Sequence, residues 1–413
     1  MAADKKNFVP SDIKNLGAEA LDDTFSISDE KLFEIASRAP GAQPEYIYLN
    51  DDIDNIAKAR KFIRPSVRWG SSLKPNSNIL IEMPGPEDAK FDLVCTDESG
   101  MSRNTSDGTD LSRSSGASIA FLGGSTVMGT GSRKPEWTIP AQVETLLRAK
   151  GIDSTCLNYG VAGMTSRDSL AQLIDMVLPR KPELVIFYTG WNCAFNFQLN
   201  ALQVAAGAFY SGGIHKGLGS RQAELMEQLA VNFKISGMLR RVFWISLNLM
   251  STKIKGLMPT SRIGSMVIAY RKLDPTLNNR AAGQWVKSIT GTQETFINEA
   301  AQDYLRFTSA AAAICKDVGV KFLCFFQPNL FWGQKPLTPL ENGFLEAEPV
   351  DPASQTAFYD AVMRLSRTSD LIDLSEVFSG ESRQLYIDTG HLNPLGNYLV
   401  SRHISDHLEP LLQ

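Results

Sequence analysis

Four short polar clusters in this chain hold residue types that together can transfer an acyl group. In chain order they are Gly123–Thr126 (GGST), Asn158–Ser166 (NYGVAGMTS), Thr189–Asn192 (TGWN) and Asp388–His391 (DTGH). A serine hydroxyl becomes an effective nucleophile when a base takes its proton, and histidine titrates near working pH. The base needs an acceptor on its second ring nitrogen. The clusters therefore predict Ser125 as nucleophile, His391 as base and Asp388 as its partner.

The tetrahedral intermediate of acyl transfer also needs hydrogen-bond donors in place for its oxyanion. The candidate donors are the backbone N–H groups of Ser125 and Gly163 and the side chain of Asn192. Losing one such donor typically costs about 100- to 1000-fold in rate. Trp191 and Gln327 also follow predicted strands and could contact the substrate, although Trp191 could equally belong to the core and Gln327 to an ordinary turn. Each cluster alone is common in proteins without this activity, so the prediction depends on their shared order and placement.

The elements that must position these clusters form an alternating pattern. The predicted strands are Ser118–Leu122, Ser154–Tyr159, Leu184–Tyr188, Val320–Phe326 and Leu371–Leu374. The predicted helices are Thr138–Lys150, Ser166 to about Leu178, Thr292–Lys316, Pro352–Arg367 and Pro394–Leu408, and Thr138 and Ser166 are predicted to cap the first two. Such alternation predicts an α/β fold with a doubly wound, mainly parallel sheet flanked by helices. Ligands gather at the carboxyl ends of the strands in such sheets, where the clusters fall.

Three parts of the chain are distinguished by composition. We predict an N-terminal extension and linker over 1–116, the α/β domain over 117–413, and a helical insertion within it over 196–291. Inside the insertion, 233–273 carries eight basic residues and no acidic residue among many apolar ones. This segment could form a lid over an acyl chain or a face resting on anionic lipid. A helical subdomain packed on the main sheet fits the same pattern, and we favour it.

Composition limits the expected partners, cofactors and location of the chain. The chain has 413 residues and a formal net charge of -4, which does not favour nucleic acid as a partner. Five cysteines without metal-ligand spacing predict reduced, buried thiols. The start of the chain lacks the apolar core of a signal peptide, and no apolar run could span a bilayer, so a cytoplasmic location is expected, with membrane contact only through 233–273. His403 and His407 are predicted to be solvated helix residues, and no metal or organic cofactor is expected.

The order Gly-x-Ser, Gly, Gly-x-Asn and Asp-x-x-His resembles the four sequence blocks of the SGNH (GDSL-like) hydrolase superfamily. The resemblance covers about residues 117–200 and 292–413 and implies a flavodoxin-like α/β fold and the roles given above for Ser125, Gly163, Asn192, Asp388 and His391. The chain departs from the family at two places. Gly124 replaces an Asp common before the serine, and Cys193 replaces an Asp that often follows the asparagine. Many family members that are similar to proteins of polysaccharide-modifying clusters also carry the sequence Gly-Gly-Ser-Thr. We therefore expect the first departure to be harmless.

The resemblance implies a serine esterase that hydrolyses an acyl ester, such as an acetyl ester, of a carbohydrate or similar polar substrate. Three alternatives stay open at this point. The same residues would serve an acyltransferase, the apolar insertion would suit a lipase or thioesterase with a helical lid, and a catalytically idle binding protein would keep the fold. The sequence does not predict an oligomeric state.

Overall fold

A computed structural model describes residues 18–38, 45–47, 63–66, 70–82, 91–106, 116–194, 293–347, 352–366 and 371–413. The chain divides into two compact units, of which the first comprises 1–193, 303–348 and 364–413 and contains all four polar clusters. The second comprises 194–302 and 349–363; within it the Gln355 amide nitrogen donates to the Ala194 carbonyl oxygen at 3.4 Å. The predicted insertion over 196–291, with its basic segment 233–273, lies outside the described residues and stays a prediction.

The described helices and strands follow one another in an order close to the predicted one. The strands are β1 (Glu45–Ile47), β2 (Ile63–Ser66), β3 (Gly70–Leu73), β4 (Asn78–Glu82), β5 (Phe91–Cys95), β6 (Ala117–Gly123), β7 (Ser154–Asn158), β8 (Leu184–Thr189), β9 (Lys321–Phe326) and β10 (Leu371–Asp373). The α-helices are α1 (Ala18–Thr24), α2 (Asp29–Arg38), α3 (Ser125–Met128), α4 (Ile139–Ala149), α5 (Ser166–Gln172), α6 (Gln293–Asp317), α7 (Pro339–Ala347), α8 (Pro352–Leu365) and α9 (Pro394–Leu412).

Strands β6 to β10 form a five-stranded sheet in the order β10-β9-β8-β6-β7, and every neighbouring pair is parallel. The first strand of this sheet, β6, lies between the second and the third. The winding direction therefore reverses between β6 and β8, which is the switch point of a flavodoxin-like doubly wound sheet. The predicted fold class is confirmed. Ser125 follows β6 and Asn192 follows β8, so both lie at this switch point.

The middle of the sheet is covered on both faces. All six residues of β8 are buried, which is why its sequence, LVIFYT, is a continuous apolar run and not an alternating one. On one face, α4 and α9 pack against each other and against the sheet. Their contact residues include Val143 and Leu147 on α4 and Val400 and Ile404 on α9. This packing fixes the start of α9, and with it the turn that carries His391.

Side-chain caps set the starts of three helices around the site. Thr138 caps α4 as predicted, accepting the Ala141 N–H at 3.4 Å. Asn393 caps α9 by accepting the Gly396 N–H at 2.9 Å. The predicted cap of α5 was off by one residue: Thr165 is the cap, not Ser166, because Asp168 returns a hydrogen bond to the Thr165 N–H and completes a capping box.

The N-terminal region forms two small sheets that the sequence did not predict as units. One has the order β1-β4-β5, and the other is the antiparallel pair β2-β3. Helix α2 packs on the first through Leu32 and Ala36, which contact the cluster that contains Leu80 and Leu93. The described part of this region belongs to the same compact unit as the five-stranded sheet. The predicted boundary at 116 stays a prediction.

Candidate active site

The nucleophile turn, Gly123–Thr126, leaves the sheet at the end of β6. A side chain on Gly123 would put its Cβ 2.3 Å from the Tyr188 carbonyl oxygen, so only glycine lets the end of β6 lie this close to β8. Helix α3 begins at once at Ser125, whose carbonyl oxygen accepts the N–H groups of Gly129 and Thr130 at 2.9 Å each. Ser125 is half-buried and lies at the carboxyl edge of the sheet.

The base turn, Asp388–His391, is closed by its own carboxylate. Asp388 Oδ1 accepts the backbone N–H groups of Gly390 at 2.8 Å and of His391 at 2.7 Å. Its other oxygen, Oδ2, lies 2.6 Å from His391 Nδ1. One carboxylate therefore shapes the turn and also holds the imidazole ring, which is the role predicted for it.

The two turns meet although 266 residues separate their key side chains. His391 Nε2 lies 2.6 Å from Ser125 Oγ. With Asp388 on Nδ1, the neutral imidazole that satisfies both contacts carries its proton on Nδ1 and accepts at Nε2. The described structure thus brings the three predicted catalytic residues together in the order hydroxyl, imidazole, carboxylate.

Electrostatics within this set favour a charged imidazole. Burial alone lowers the pKa of His391, but the nearby Asp388 carboxylate outweighs burial and raises that pKa above its ordinary value of 6.5. A second carboxylate, Asp92, adds to the rise. Burial raises the pKa of Asp388, while the histidine and two backbone N–H groups together bring it below its ordinary value of 3.8. The arrangement stabilises the ion pair that forms when the base takes a proton.

Asn192 lies directly beside the nucleophile turn. A Cβ on Gly124 would be 2.2 Å from Asn192 Nδ2, so the carboxamide occupies the space that any side chain at position 124 would need. The same nitrogen donates one hydrogen bond to the Met164 carbonyl oxygen at 2.9 Å. The glycine at 124, where the family commonly has Asp, is thus matched to the pose of Asn192.

Gly163 lies in a turn that is tied to the nucleophile strand. The Val161 N–H donates to the Gly123 carbonyl oxygen at 3.1 Å, and Met164 N–H closes the turn onto Val161 at 3.2 Å. Gly163 adopts φ of +80°, a left-handed conformation that favours glycine at the third position of a turn. The turn follows β7 and adjoins Met164, whose carbonyl holds Asn192. All the predicted oxyanion donors therefore come from segments bonded to each other.

Cys193 accepts a hydrogen bond from the backbone at the start of α5. Its sulfur accepts the Ser166 N–H at 3.3 Å, and burial raises the pKa of its thiol to about 11. A neutral thiol therefore accepts from a helix-start N–H beside Asn192. Cys193, where the resemblance would lead to an Asp, therefore still provides a hydrogen-bond acceptor at this position. All five cysteines lie in the described part of the chain and are free, four of them buried, as predicted.

The two residues predicted to contact substrate are both largely buried. The ring of Trp191, 8% exposed, stacks on Phe331 with centroids 5.7 Å apart and an interplanar angle of 10°. It also packs so closely on Gly390 that a Cβ there would be 2.9 Å from the ring. The amide of Gln327 donates to Thr126 Oγ1 and to the Gly390 carbonyl oxygen. Both side chains thus support the two turns, and their predicted contact with substrate stays a prediction.

Asp92, on β5 of the N-terminal region, was missed by the sequence analysis. This buried carboxylate accepts the Gly131 N–H at 2.7 Å and the Arg133 N–H at 2.9 Å, and so holds the segment that follows α3. Gly131 in turn abuts the Leu392 carbonyl oxygen, next to His391. The signal was present in the sequence, since an aspartate inside the apolar strand FDLVC must be paired if buried.

Arg133 connects the same segment to α2. Its guanidinium pairs with Asp29 Oδ1 at 2.7 Å and donates to the carbonyl oxygens of Phe91 and Ile27. The N-terminal elements are therefore bonded to the segment between the nucleophile and α4.

The described residues offer no metal site: among them, no three His, Cys, Asp or Glu side chains are grouped so as to hold an ion. His403 and His407, which were predicted to be solvated, are half-buried, and their rings lie with centroids 4.7 Å apart at an interplanar angle of 42°. In the same part of the chain, no helix combines the length and the apolar character that crossing a bilayer requires.

No family model matches the chain, and no curated protein matches it. Solved structures do. One is an acetyl xylan esterase, AlAXEase, with 15% identity and a TM-score of 0.36 over 70% of this chain and 99% of that one. Others are a GDSL-like lipase from Bacteroides thetaiotaomicron (10% identity, TM-score 0.34, 72% and 89% of the two chains) and a lipase/acylhydrolase from Enterococcus faecalis (12%, 0.35, 72% and 97%). At these identities and TM-scores the similarity carries no argument about function, which depends on the side-chain geometry.

Proposed function

We propose that this chain is a serine hydrolase that cleaves acyl esters, with Ser125 as nucleophile, His391 as base and Asp388 as the residue that orients it. The observation that carries the proposal is the 2.6 Å contact between Ser125 Oγ and His391 Nε2, with Asp388 on the other ring nitrogen. A half-buried Ser-His-Asp set at the switch point of a parallel sheet has the parts and the location that acyl transfer requires.

In the first half-reaction, Ser125 Oγ attacks the ester carbonyl carbon while His391 Nε2 takes the hydroxyl proton. The carbonyl oxygen becomes an oxyanion, for which the proposed donors are the N–H groups of Ser125 and Gly163 and the Asn192 amide. Collapse of this intermediate breaks the bond to the alcohol, which leaves with the proton held by His391. The acyl group is then esterified to Ser125.

In the second half-reaction, His391 takes a proton from water, and the resulting hydroxide attacks the acyl-enzyme. The second tetrahedral intermediate uses the same oxyanion donors. Its collapse releases the carboxylic acid, and the proton on His391 returns to Ser125. Throughout, Asp388 remains a carboxylate and stabilises the imidazolium, which is consistent with its lowered pKa.

The substrate class that we propose is an acyl ester, such as an acetyl ester, of a carbohydrate or similar polar alcohol. Support comes from the sequence Gly-Gly-Ser-Thr at 123–126, which resembles the corresponding block in proteins of polysaccharide-modifying clusters. An acyltransferase would use the same groups with an alcohol or amine in place of water, and product analysis with candidate acceptors separates the two. Preference for long acyl chains in a p-nitrophenyl ester series would instead favour the lipase or thioesterase.

The first experiment measures hydrolysis of p-nitrophenyl acetate, together with labelling by a fluorophosphonate probe. Ser125→Ala should lower kcat by a factor on the order of 10⁴ to 10⁶ and abolish labelling. The matched control is Ser37→Ala on the exposed face of α2, which should leave both unchanged. Undiminished hydrolysis by Ser125→Ala would refute the assignment, and a wild-type chain that neither hydrolyses nor labels would favour the idle binding protein.

A further inference from the structure

The backbone of Gln327 is locked at the end of β9. Its N–H donates to the Thr189 carbonyl oxygen at 2.8 Å, which extends the β8–β9 pairing by one bond. Its carbonyl oxygen accepts the Trp332 indole N–H at 3.1 Å, and the residue is 3% exposed. Because both backbone groups are bonded, the side chain leaves the sheet in a defined direction.

That side chain reaches the two turns of the candidate site at once. Gln327 Nε2 lies 2.9 Å from Thr126 Oγ1 and 3.1 Å from the Gly390 carbonyl oxygen. A primary amide carries two N–H donors on this nitrogen, so both contacts can be made together. Thr126 is the neighbour of Ser125, and Gly390 is the neighbour of His391. One amide group thus bridges the nucleophile turn and the base turn from the end of a central strand.

We infer that Gln327 is a positioning residue that sets the distance between Ser125 and His391. The inference rests on the proposed function, because it gives the amide a role in the proton transfer from the hydroxyl to the imidazole. The two catalytic side chains lie on separate segments that leave the sheet at different strands. The two hydrogen bonds of Gln327 fix the position of both segments relative to one buried residue at the end of β9.

The expected loss of kcat can be judged from the short contact between Ser125 and His391, whose distance the Gln327 bridge would set. Oγ and Nε2 are 2.6 Å apart, and a displacement of about 1 Å in such a geometry can cost about 100-fold in rate. Other contacts also hold the turns, including Gly131 against the Leu392 carbonyl and Trp191 against Gly390. Loss of the bridge alone should therefore lower kcat by about 10- to 100-fold.

A purely structural role for Gln327 makes a different prediction. A buried amide that only satisfies two acceptors would, when removed, lower stability and leave the kcat of the folded enzyme unchanged. A positioning role lowers kcat with little change in KM. The base turn is closed by Asp388 itself, so the His391–Asp388 pair stays intact and the acid limb of the pH profile should not move. Fluorophosphonate labelling, which uses the same proton transfer, should slow in parallel with kcat.

Three single variants and one double variant of the full chain test this inference. Gln327→Met keeps the length of the side chain and removes both donors. Thr126→Val removes the acceptor on the nucleophile side at almost constant shape, and Thr126→Ser restores the hydroxyl. We expect Gln327→Met to lose 10- to 100-fold and Thr126→Val about 3- to 20-fold in kcat, with Thr126→Ser recovering most of that loss. In Gln327→Met, the further change Thr126→Val should lower kcat by less than twofold, because its partner is already gone.

The inference is overturned if folded Gln327→Met keeps kcat within twofold of the wild type, or if the two effects multiply in the double variant. Should Gln327→Met not fold, the Thr126 pair decides: a valine variant as active as the serine variant refutes the bridge, and a serine-specific recovery supports it. Ser125→Ala is assayed in parallel. If that variant keeps its esterase activity, the proposed function fails; if it is inactive while the bridge variants match the wild type, only this inference fails.

Discussion

An alanine at position 124 would place a methyl group where the Asn192 carboxamide now lies. The Cβ would be 2.2 Å from Asn192 Nδ2, against about 3.4 Å for ordinary contact, so the amide nitrogen must withdraw by about 1.2 Å. Other neighbours do not obstruct the methyl group, since the next atoms are Asn192 Cγ at 3.4 Å and the Met164 carbonyl oxygen at 3.6 Å. Gly124 has φ of -83° in an extended backbone, so alanine at this position does not need the left-handed conformation.

The methyl group therefore acts on one side-chain amide and on little else. Withdrawal of the amide disturbs its 2.9 Å bond to the Met164 carbonyl oxygen and moves the proposed oxyanion donor out of alignment. Loss of such a donor costs about 100- to 1000-fold in kcat, which corresponds to about 2.7–4 kcal/mol. Because the displaced group is the free end of a side chain, the free energy of unfolding should fall by less than about 1 kcal/mol.

Steady-state hydrolysis of p-nitrophenyl acetate and urea denaturation together measure these effects. Gly124→Ala and Asn192→Ala should each lower kcat by about 100- to 1000-fold with KM nearly unchanged. The double variant should be no slower than Asn192→Ala, since the atom that the methyl group displaces is absent. Gly343→Ala, on α7 with nothing within 4 Å of the added Cβ, is the matched control and should keep wild-type kcat. Wild-type kcat in Gly124→Ala, or multiplied losses in the double variant, would refute the reasoning.

Three further predictions follow from charge, burial and backbone conformation. The acid limb of kcat/KM should lie above pH 6.5, because catalysis needs the neutral His391 imidazole and its carboxylate partner raises its pKa; a limb below that value in a pH–rate profile contradicts the electrostatics. Lys335→Met should lower the free energy of unfolding, measured by urea denaturation, by about 3 kcal/mol. The ammonium lies 2.7 Å from the buried Glu341 carboxylate, which would keep its backbone N–H donors but lose its cation; a cost below about 1 kcal/mol would contradict this. Gly131→Ala and Gly151→Ala both place alanine at positive φ, +86° and +81°. Each should therefore lower the free energy of unfolding, measured by urea denaturation, by about 1–2 kcal/mol. Of these two positions, only Gly131 would bring the Cβ against a backbone oxygen, that of Leu392 at 2.1 Å. Gly131→Ala should therefore lower the free energy of unfolding by about 1–3 kcal/mol more than Gly151→Ala does, and should lose most of its activity. Equal losses of stability in the two variants would show that this contact is unimportant.

Much of the α/β framework could be predicted from local pattern. The continuous apolar run LVIFY at Leu184–Tyr188 indicates a strand covered on both faces, and all six residues of the observed β8 are buried. The approach of Ser125 to His391 could also be expected, because loops at the carboxyl ends of parallel strands lie along one edge of the sheet. Where the prediction of the α5 cap was off by one, the deciding information was still local: Asp168 lies three residues after Thr165 and bonds back to it.

Other features required the folded chain. Nothing in the sequence near Gln327 indicates that its amide meets Thr126 and Gly390, 201 and 63 residues away. The same holds for Asp92, whose partners Gly131 and Arg133 are 39 and 41 residues further on. These contacts depend on which faces of distant segments pack together, and no local period contains that information.

The sequence by itself determined the order of the strands and helices, the residue types at the strand ends and the edge at which they meet. Tertiary structure alone decided that the Asn192 amide fills the space beside Gly124, that Trp191 is covered by Phe331 and Gly390, and that an N-terminal strand supports the segment after the nucleophile. The physical reason is the range of the forces involved. Propensity, capping and burial periodicity act over a few residues, whereas close packing and buried hydrogen bonds join atoms whose separation along the chain is arbitrary.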